Sequence, residues 1–218
     1  MPWTARLALC LTALFLVVTA ARADVTGVFQ SGPNASYKIE YRDDENFRIS
    51  FAKGGAMMVK GQYYVLQTIG SEVQAMDLAT IKKMMQKYNS TDSGGGDILV
   101  PKVSFKALNR SETIAGIKGD VFEVKSTYPN GKSTSEEAVL SDDKQVVSLQ
   151  RAMVIISEEG RKMMAAIGQK SAPNPFDAMG SYRSKGVLRY GRSIKLKSID
   201  RRKISDLRFA RPSLMKAK

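Results

Sequence analysis

Hydrophobic and polar positions alternate along the first half of the chain with the period of a half-buried strand. Tyr37, Ile39 and Tyr41 alternate with Lys38, Glu40 and Arg42, and then Phe47, Ile49 and Phe51 alternate with Arg48 and Ser50. Successive strand side chains point to opposite faces, so each run has one dry and one wet face. Asp43-Asp44-Glu45 between them supplies the turn of a hairpin. Gly54-Gly55 and Gly61 then bracket Ala56-Met57-Met58-Val59, and Tyr63-Tyr64-Val65-Leu66 follows. The last run is apolar on both faces, which predicts cover over the sheet's second face.

The period changes at Asp77, which can cap a helix from Leu78 to about Tyr88. Leu78, Ile81, Met84, Met85 and Tyr88 fall on one side and Lys82, Lys83 and Lys87 on the others. A Gly-rich loop, Asn89 to Asp97, leads back to alternation at Val103, Phe105 and Ala107 and at Phe122 and Val124. Pro129-Asn130-Gly131 is a strong hairpin turn. The longest helix is predicted from about Asp142 to Ile167. Val146, Leu149, Met153, Ile156, Met163 and Ile167 keep its spacing, and Gly160 is a possible kink or break. A final pair of strands is expected at Gly186 to Lys197 and Lys203 to Phe209. The order of hairpins, helix, hairpins, helix and hairpin is that of an α+β domain, a large antiparallel sheet with helices on one face.

Residues 1–23 change where such a domain would work. Arg6 precedes the uncharged, mostly apolar run from Leu7 to Ala21, and Ala21-Arg22-Ala23 places small residues where signal peptidase reads them. The run is short for a membrane anchor, which needs about 20 apolar residues. The expectation is a signal peptide at 1–23, cleaved near Ala23, and one soluble periplasmic domain at 24–218.

Cys10 is the one cysteine and His is absent. After cleavage no disulfide could form, and no imidazole base, His-ligated zinc or Ser-His-Asp triad can be built. Charge is balanced from Asp24 to Tyr182. From Arg183 to Lys218, by contrast, 13 basic residues stand against Asp200 and Asp206. Such asymmetry points to a polyanionic neighbour, and for an exported protein to anionic membrane or lipopolysaccharide, not nucleic acid. The basic hairpin within 183–218, with Arg189, Arg192, Lys195, Lys197, Arg201, Arg202 and Lys203, would form that surface.

The remaining motifs are weak. Met57-Met58, Met84-Met85 and Met163-Met164 suit either core filling or a cavity for varied apolar tails, since thioethers are flexible and polarizable. Neighbouring Met residues on a strand diverge, which disfavours a copper site, and no metal or other cofactor is expected. Ser50–Lys53, Ser141–Lys144 and Ser213–Lys216 match Ser-x-x-Lys without its companion motifs. The carboxylate pairs Asp43-Asp44, Glu136-Glu137, Asp142-Asp143 and Glu158-Glu159 lack the spacing of a calcium loop. No enzyme is expected.

Several short runs carry a family resemblance. These are Tyr37-x-Ile39-Glu40-Tyr41, Gly55-Ala56-Met57-Met58, Gly61-x-Tyr63-Tyr64-Val65 and Met76-Asp77-Leu78. A second block is Thr113-Ile114-Ala115-Gly116, Val121-Phe122-Glu123-Val124 and Val139-Leu140-Ser141-Asp142. Together they resemble a group of uncharacterised exported bacterial domains similar in layout to the LolA/LolB-like periplasmic lipoprotein carriers. That resemblance implies a half-open, curved antiparallel sheet whose concave face is lidded by two or three helices, with lipid or an acylated protein between. On this reading Met84, Met85, Met153, Ile156, Met163 and Ile167 line the lid, and Met57, Met58, Tyr64 and Leu66 the sheet. The alternative is an envelope interaction protein that binds polyanions through the basic hairpin.

Overall fold

A computed structural model describes residues 24–88, 101–166, 168, 174 and 176–215. Residues 1–23, which hold the expected signal peptide, and the Gly-rich loop after residue 88 lie outside the described residues. Strands β1 (Val25–Ser31), β2 (Ala35–Asp43), β3 (Asn46–Phe51), β4 (Gly54–Val59), β5 (Gln62–Ile69) and β6 (Glu72–Met76) precede helix α1 (Leu78–Tyr88). Strands β7 (Lys102–Ile114), β8 (Ile117–Thr127) and β9 (Ser133–Ser141) precede helix α2 (Lys144–Ala166). A kinked 3-10 segment at Asp177–Ser184 leads to β10 (Gly186–Tyr190) and β11 (Ile194–Asp200), and a second 3-10 turn follows at Asp206–Phe209. All eleven strands form one sheet that does not close, in the order β6-β5-β4-β3-β2-β1-β11-β10-β9-β8-β7, and the strand pairs within it are antiparallel. The α+β class and the large antiparallel sheet stand as the pattern predicts.

Both helices begin as their capping residues dictate. The Thr80 amide donates to the Asp77 carboxylate at 2.8 Å, satisfying one of the unpaired donors of the first turn of α1. Asp143 does the same for α2, accepting from the amides of Gln145 and Val146. Gly160 neither kinks nor divides α2, which runs through it unbroken.

Alternation sorts the core into two faces. On one, Val25, Phe29, Tyr37, Ile39, Tyr41, Phe47, Ile49 and Met58 meet Val146, Leu149 and Ala152 of α2. Two glycines let the helix come close. A Cβ on Gly186 would lie 2.5 Å from the Val146 backbone carbon, and one on Gly27 2.4 Å from Leu149 Cδ1. The opposite face carries two clusters. Met57, Val59, Tyr64, Leu66 and Ala75 form one. Phe122, Val124, Ala138 and Leu140 form the other with Met179 of the first 3-10 segment. Helical elements thus lie on both sides of the sheet, not on one, because β8 buries Val121 on one face and Phe122 on the other.

The C-terminal pair of strands needs correction. The hairpin turns inside the first expected strand, at Gly191 (φ 54°), and its arms are β10 and β11. Lys203 to Phe209 forms no strand. It begins a strap that leaves β11, crosses the face opposite α2 and ends at β6. There the Ala75 amide donates to the Ser213 carbonyl and the Met215 amide to the Ala75 carbonyl. The strap stays because its backbone and arginine find fixed partners. Ile204 N–H donates to buried Asp24 at 2.7 Å, and Arg208 clasps Glu40.

Candidate functional site

The predicted apolar residues do not converge on one place. Met58 belongs to the core on the α2 face, and Met153, Ile156 and Tyr63 pack against that same core partly buried. Met57, Tyr64 and Leu66 lie on the other side of the sheet. The cause is strand geometry: Met58 pairs with Tyr63 and Met57 with Tyr64, so the two rows point in opposite directions. A single pocket lined by Met57, Met58, Tyr64 and Leu66 is therefore excluded. Met84 on α1 and Met163 on α2 are half-buried and outside these clusters. The Met85 side chain and Ile167 lie outside the described residues.

Along α2 the burial changes character. Val146, Leu149 and Ala152 are each 0% exposed, whereas every residue from Met153 to Gly160 is half-buried. A helix docked along its whole length would keep a fully buried stripe. The first half of α2 is sealed onto the sheet, while Met153, Ile155 and Ile156 of the second half pack against the same core only partly buried. Tyr63 lies near this second half. Burial pushes its phenol up, and the negative charge of Glu159 on α2 adds to the effect.

The same face bears an aromatic row across β1, β2 and β3. Phe29 stacks on Tyr37 with ring centres 5.1 Å apart, and Tyr37 meets Phe51 at 5.7 Å. Phe51 is exposed, while Tyr37 is buried with its phenol pushed up to about 12 by desolvation. Tyr41 donates to Asp44 at 2.7 Å, and Asp44 pairs with Arg151, tying the β2–β3 turn to α2. A cleft of about 470 Å³ lies elsewhere, around the β7–β8 turn and the start of α2. None of the predicted apolar residues lines it.

The basic hairpin is likewise not one cationic surface. Arg189 is largely buried and pairs with Glu112 (2.8 Å) and Glu137 (3.2 Å) on the α2 face. Arg202 pairs with Asp200 at 2.6 Å and Arg201 with Asp143 at 3.7 Å. Arg192, Lys195, Lys197 and Lys203 have no carboxylate partner among the described residues. Arg189, Arg201 and Arg202 are thereby paired, so the cationic set shrinks to these four.

The chemistry-bearing motifs resolve into structural roles. Ser141 Oγ donates to the Lys118 carbonyl and accepts the Asp143 amide. Glu158 pairs with Arg183 and Glu159 with Lys162. The carboxyls of Glu40, Asp77, Glu137 and Asp200 are each held below their ordinary values by the hydrogen bonds they accept.

Among the described residues no helix is long and apolar enough to cross a membrane. Comparisons with protein-family models, with curated proteins and with solved structures gave no match to this chain.

Proposed function

We propose that this chain is an exported, periplasmic, non-enzymatic binding protein that holds a lipid or an acyl chain between the second half of α2 and the sheet. On this reading the sheet curls as a half-open barrel with α2 over its concave side, in the manner of the LolA/LolB-like carriers. The observation that carries it is the change in burial along α2. Val146, Leu149 and Ala152 are sealed, while Met153 and Ile156, on the same stripe, are left half-covered against the core that Met58 and Tyr63 share. Burying each CH₂ of an acyl chain contributes about 0.8 kcal/mol, so contact with these residues suffices for affinity without a catalytic group.

The test is native mass spectrometry of the purified protein, followed by delipidation and titration with a fatty-acid probe. Ile156→Trp adds bulk one helical turn from Met153 and is expected to weaken probe binding at least tenfold without loss of the folded state. A delipidated protein that takes up no acyl probe refutes the carrier reading.

The four cations left unpaired, Arg192, Lys195, Lys197 and Lys203, favour a second reading, attachment to anionic membrane or lipopolysaccharide. Such attachment weakens steeply with salt, whereas an acyl chain held by apolar contact hardly responds. Salt titration separates the two.

A further inference from the structure

On the face opposite α2, Arg48 of β3 is a half-buried cation without a carboxylate of its own among the described residues. Its cross-strand neighbours are Glu40 of β2 and Met57 of β4. Glu40 is already taken. Lys38 Nζ donates to its Oε1 at 3.1 Å, and Arg208 of the strap donates to both of its oxygens, Nε reaching them at 3.0 and 3.2 Å. Three cations therefore share one acid. The other arginine of this face, Arg42, has its charge met by Asp24 at 3.1 Å and Asp206 at 2.7 Å, and caps the Phe209 ring.

The Arg48 side chain is nonetheless held in place. Its Nε donates to Ser50 Oγ at 3.1 Å. No described oxygen accepts from its Nη atoms, and these are not buried. Burial pushes its pKa down and the nearby Arg208 charge pushes the same way, with Glu40 opposing only in part. A fixed guanidinium with its outer N–H groups unengaged, set among surplus positive charge, matches the bidentate geometry of a tetrahedral oxyanion.

We propose that Arg48, oriented by Ser50 and flanked by Lys38 and Arg208, binds a phosphate or phosphoester group on the strap face of the sheet. The site does not rest on the carrier reading, because it lies on the other side of the sheet from α2. A phosphoester could be a small soluble ester or a phospholipid headgroup, and the experiment separates them.

Thermal melting of the purified protein is followed in inorganic phosphate against chloride at matched ionic strength, then in glycerol 1-phosphate. Sedimentation with vesicles of phosphatidylglycerol or phosphatidylcholine forms the second arm. The expected result is a saturable rise in melting temperature with phosphate. Arg48→Met, which keeps the stem and removes the fork, shifts the half-saturating concentration at least tenfold, and Lys102→Gln on the distant edge strand β7 leaves it unchanged. In chloride Arg48→Met melts no lower than the parent, because it removes an unpaired, half-buried charge. Phosphatidylglycerol vesicles that sediment the parent but not Arg48→Met assign the group to a headgroup. A response to glycerol 1-phosphate without vesicle binding assigns it to a soluble ester. Equal responses of parent and Arg48→Met, or a markedly lower melting temperature for Arg48→Met in chloride, overturn the proposal.

Discussion

Gly186 and Gly160 mark opposite ends of the same helix and predict opposite effects of adding one methyl group. At Gly186 a Cβ would sit 2.5 Å from the Val146 backbone carbon and 2.7 Å from the Val147 nitrogen, so α2 itself would have to lift. Backbone cannot rotate away as a side chain can, and overpacking of this kind costs about 1–3 kcal/mol. At Gly160 an added Cβ meets nothing within 4 Å, and the residue lies inside a continuous helix. Ala there removes the entropic cost of glycine in a helix and is expected to stabilise by about 1 kcal/mol. Urea unfolding of Gly186→Ala and Gly160→Ala measures both signs. A neutral Gly186→Ala would show that α2 does not rest on the sheet at that point.

At the scale of elements, the strap is fastened to β2 through Arg42 and through Glu40, whose side chain is 6% exposed. Burial alone would raise its pKa, but hydrogen bonds from Arg208 and Lys38 outweigh that and hold it below its ordinary value of 4.5. A carboxylate depressed on folding adds stability that is fully present above its unfolded pKa and is lost as pH falls through the folded one. Glu40→Gln is therefore expected to cost about 2 kcal/mol at neutral pH, allowing for the solvent exposure of both cations. The gap between variant and parent should narrow as pH drops below 4.5, which paired melts across that range would record. The strap reads as a strand in sequence because the chain from Lys203 to Phe209 names none of its partners; Asp24 and Glu40 lie over 160 positions away. The helices and the β2–β3 hairpin were legible because caps and alternation are local. β1 was not, since Gly27, needed for the approach of Leu149, interrupts its pattern. The pocket set failed for a related reason: Met57 and Met58 read alike in sequence, yet one residue's offset sends them to opposite faces.

In the whole molecule, β11 occupies the joint. Strands β1 to β6 form one side of the sheet in chain order and β7 to β10 the other, and only β11 hydrogen-bonds both β1 and β10. Its Leu196 faces Phe29 in the core shared with α2. The last strand to leave the ribosome thus completes the middle of the sheet, and its contacts with β1 span most of the chain. Such non-local pairing makes folding slow, with closure of the sheet as a late event. Two truncations separate the strand's role from the strap's. A chain ending at Asp200 keeps all eleven strands and loses the strap partners of Asp24, Arg42 and Glu40, so it should unfold in one transition at a lower urea midpoint. A chain ending at Ser193 lacks β11 and leaves two sheets bridged by α2, which packs on β1, β2, β3 and β10. That chain should show a smaller m-value or two separate transitions, because less surface is buried cooperatively. A single transition with the parent's m-value would mean that α2, and not the continuous sheet, makes the two sides fold as one.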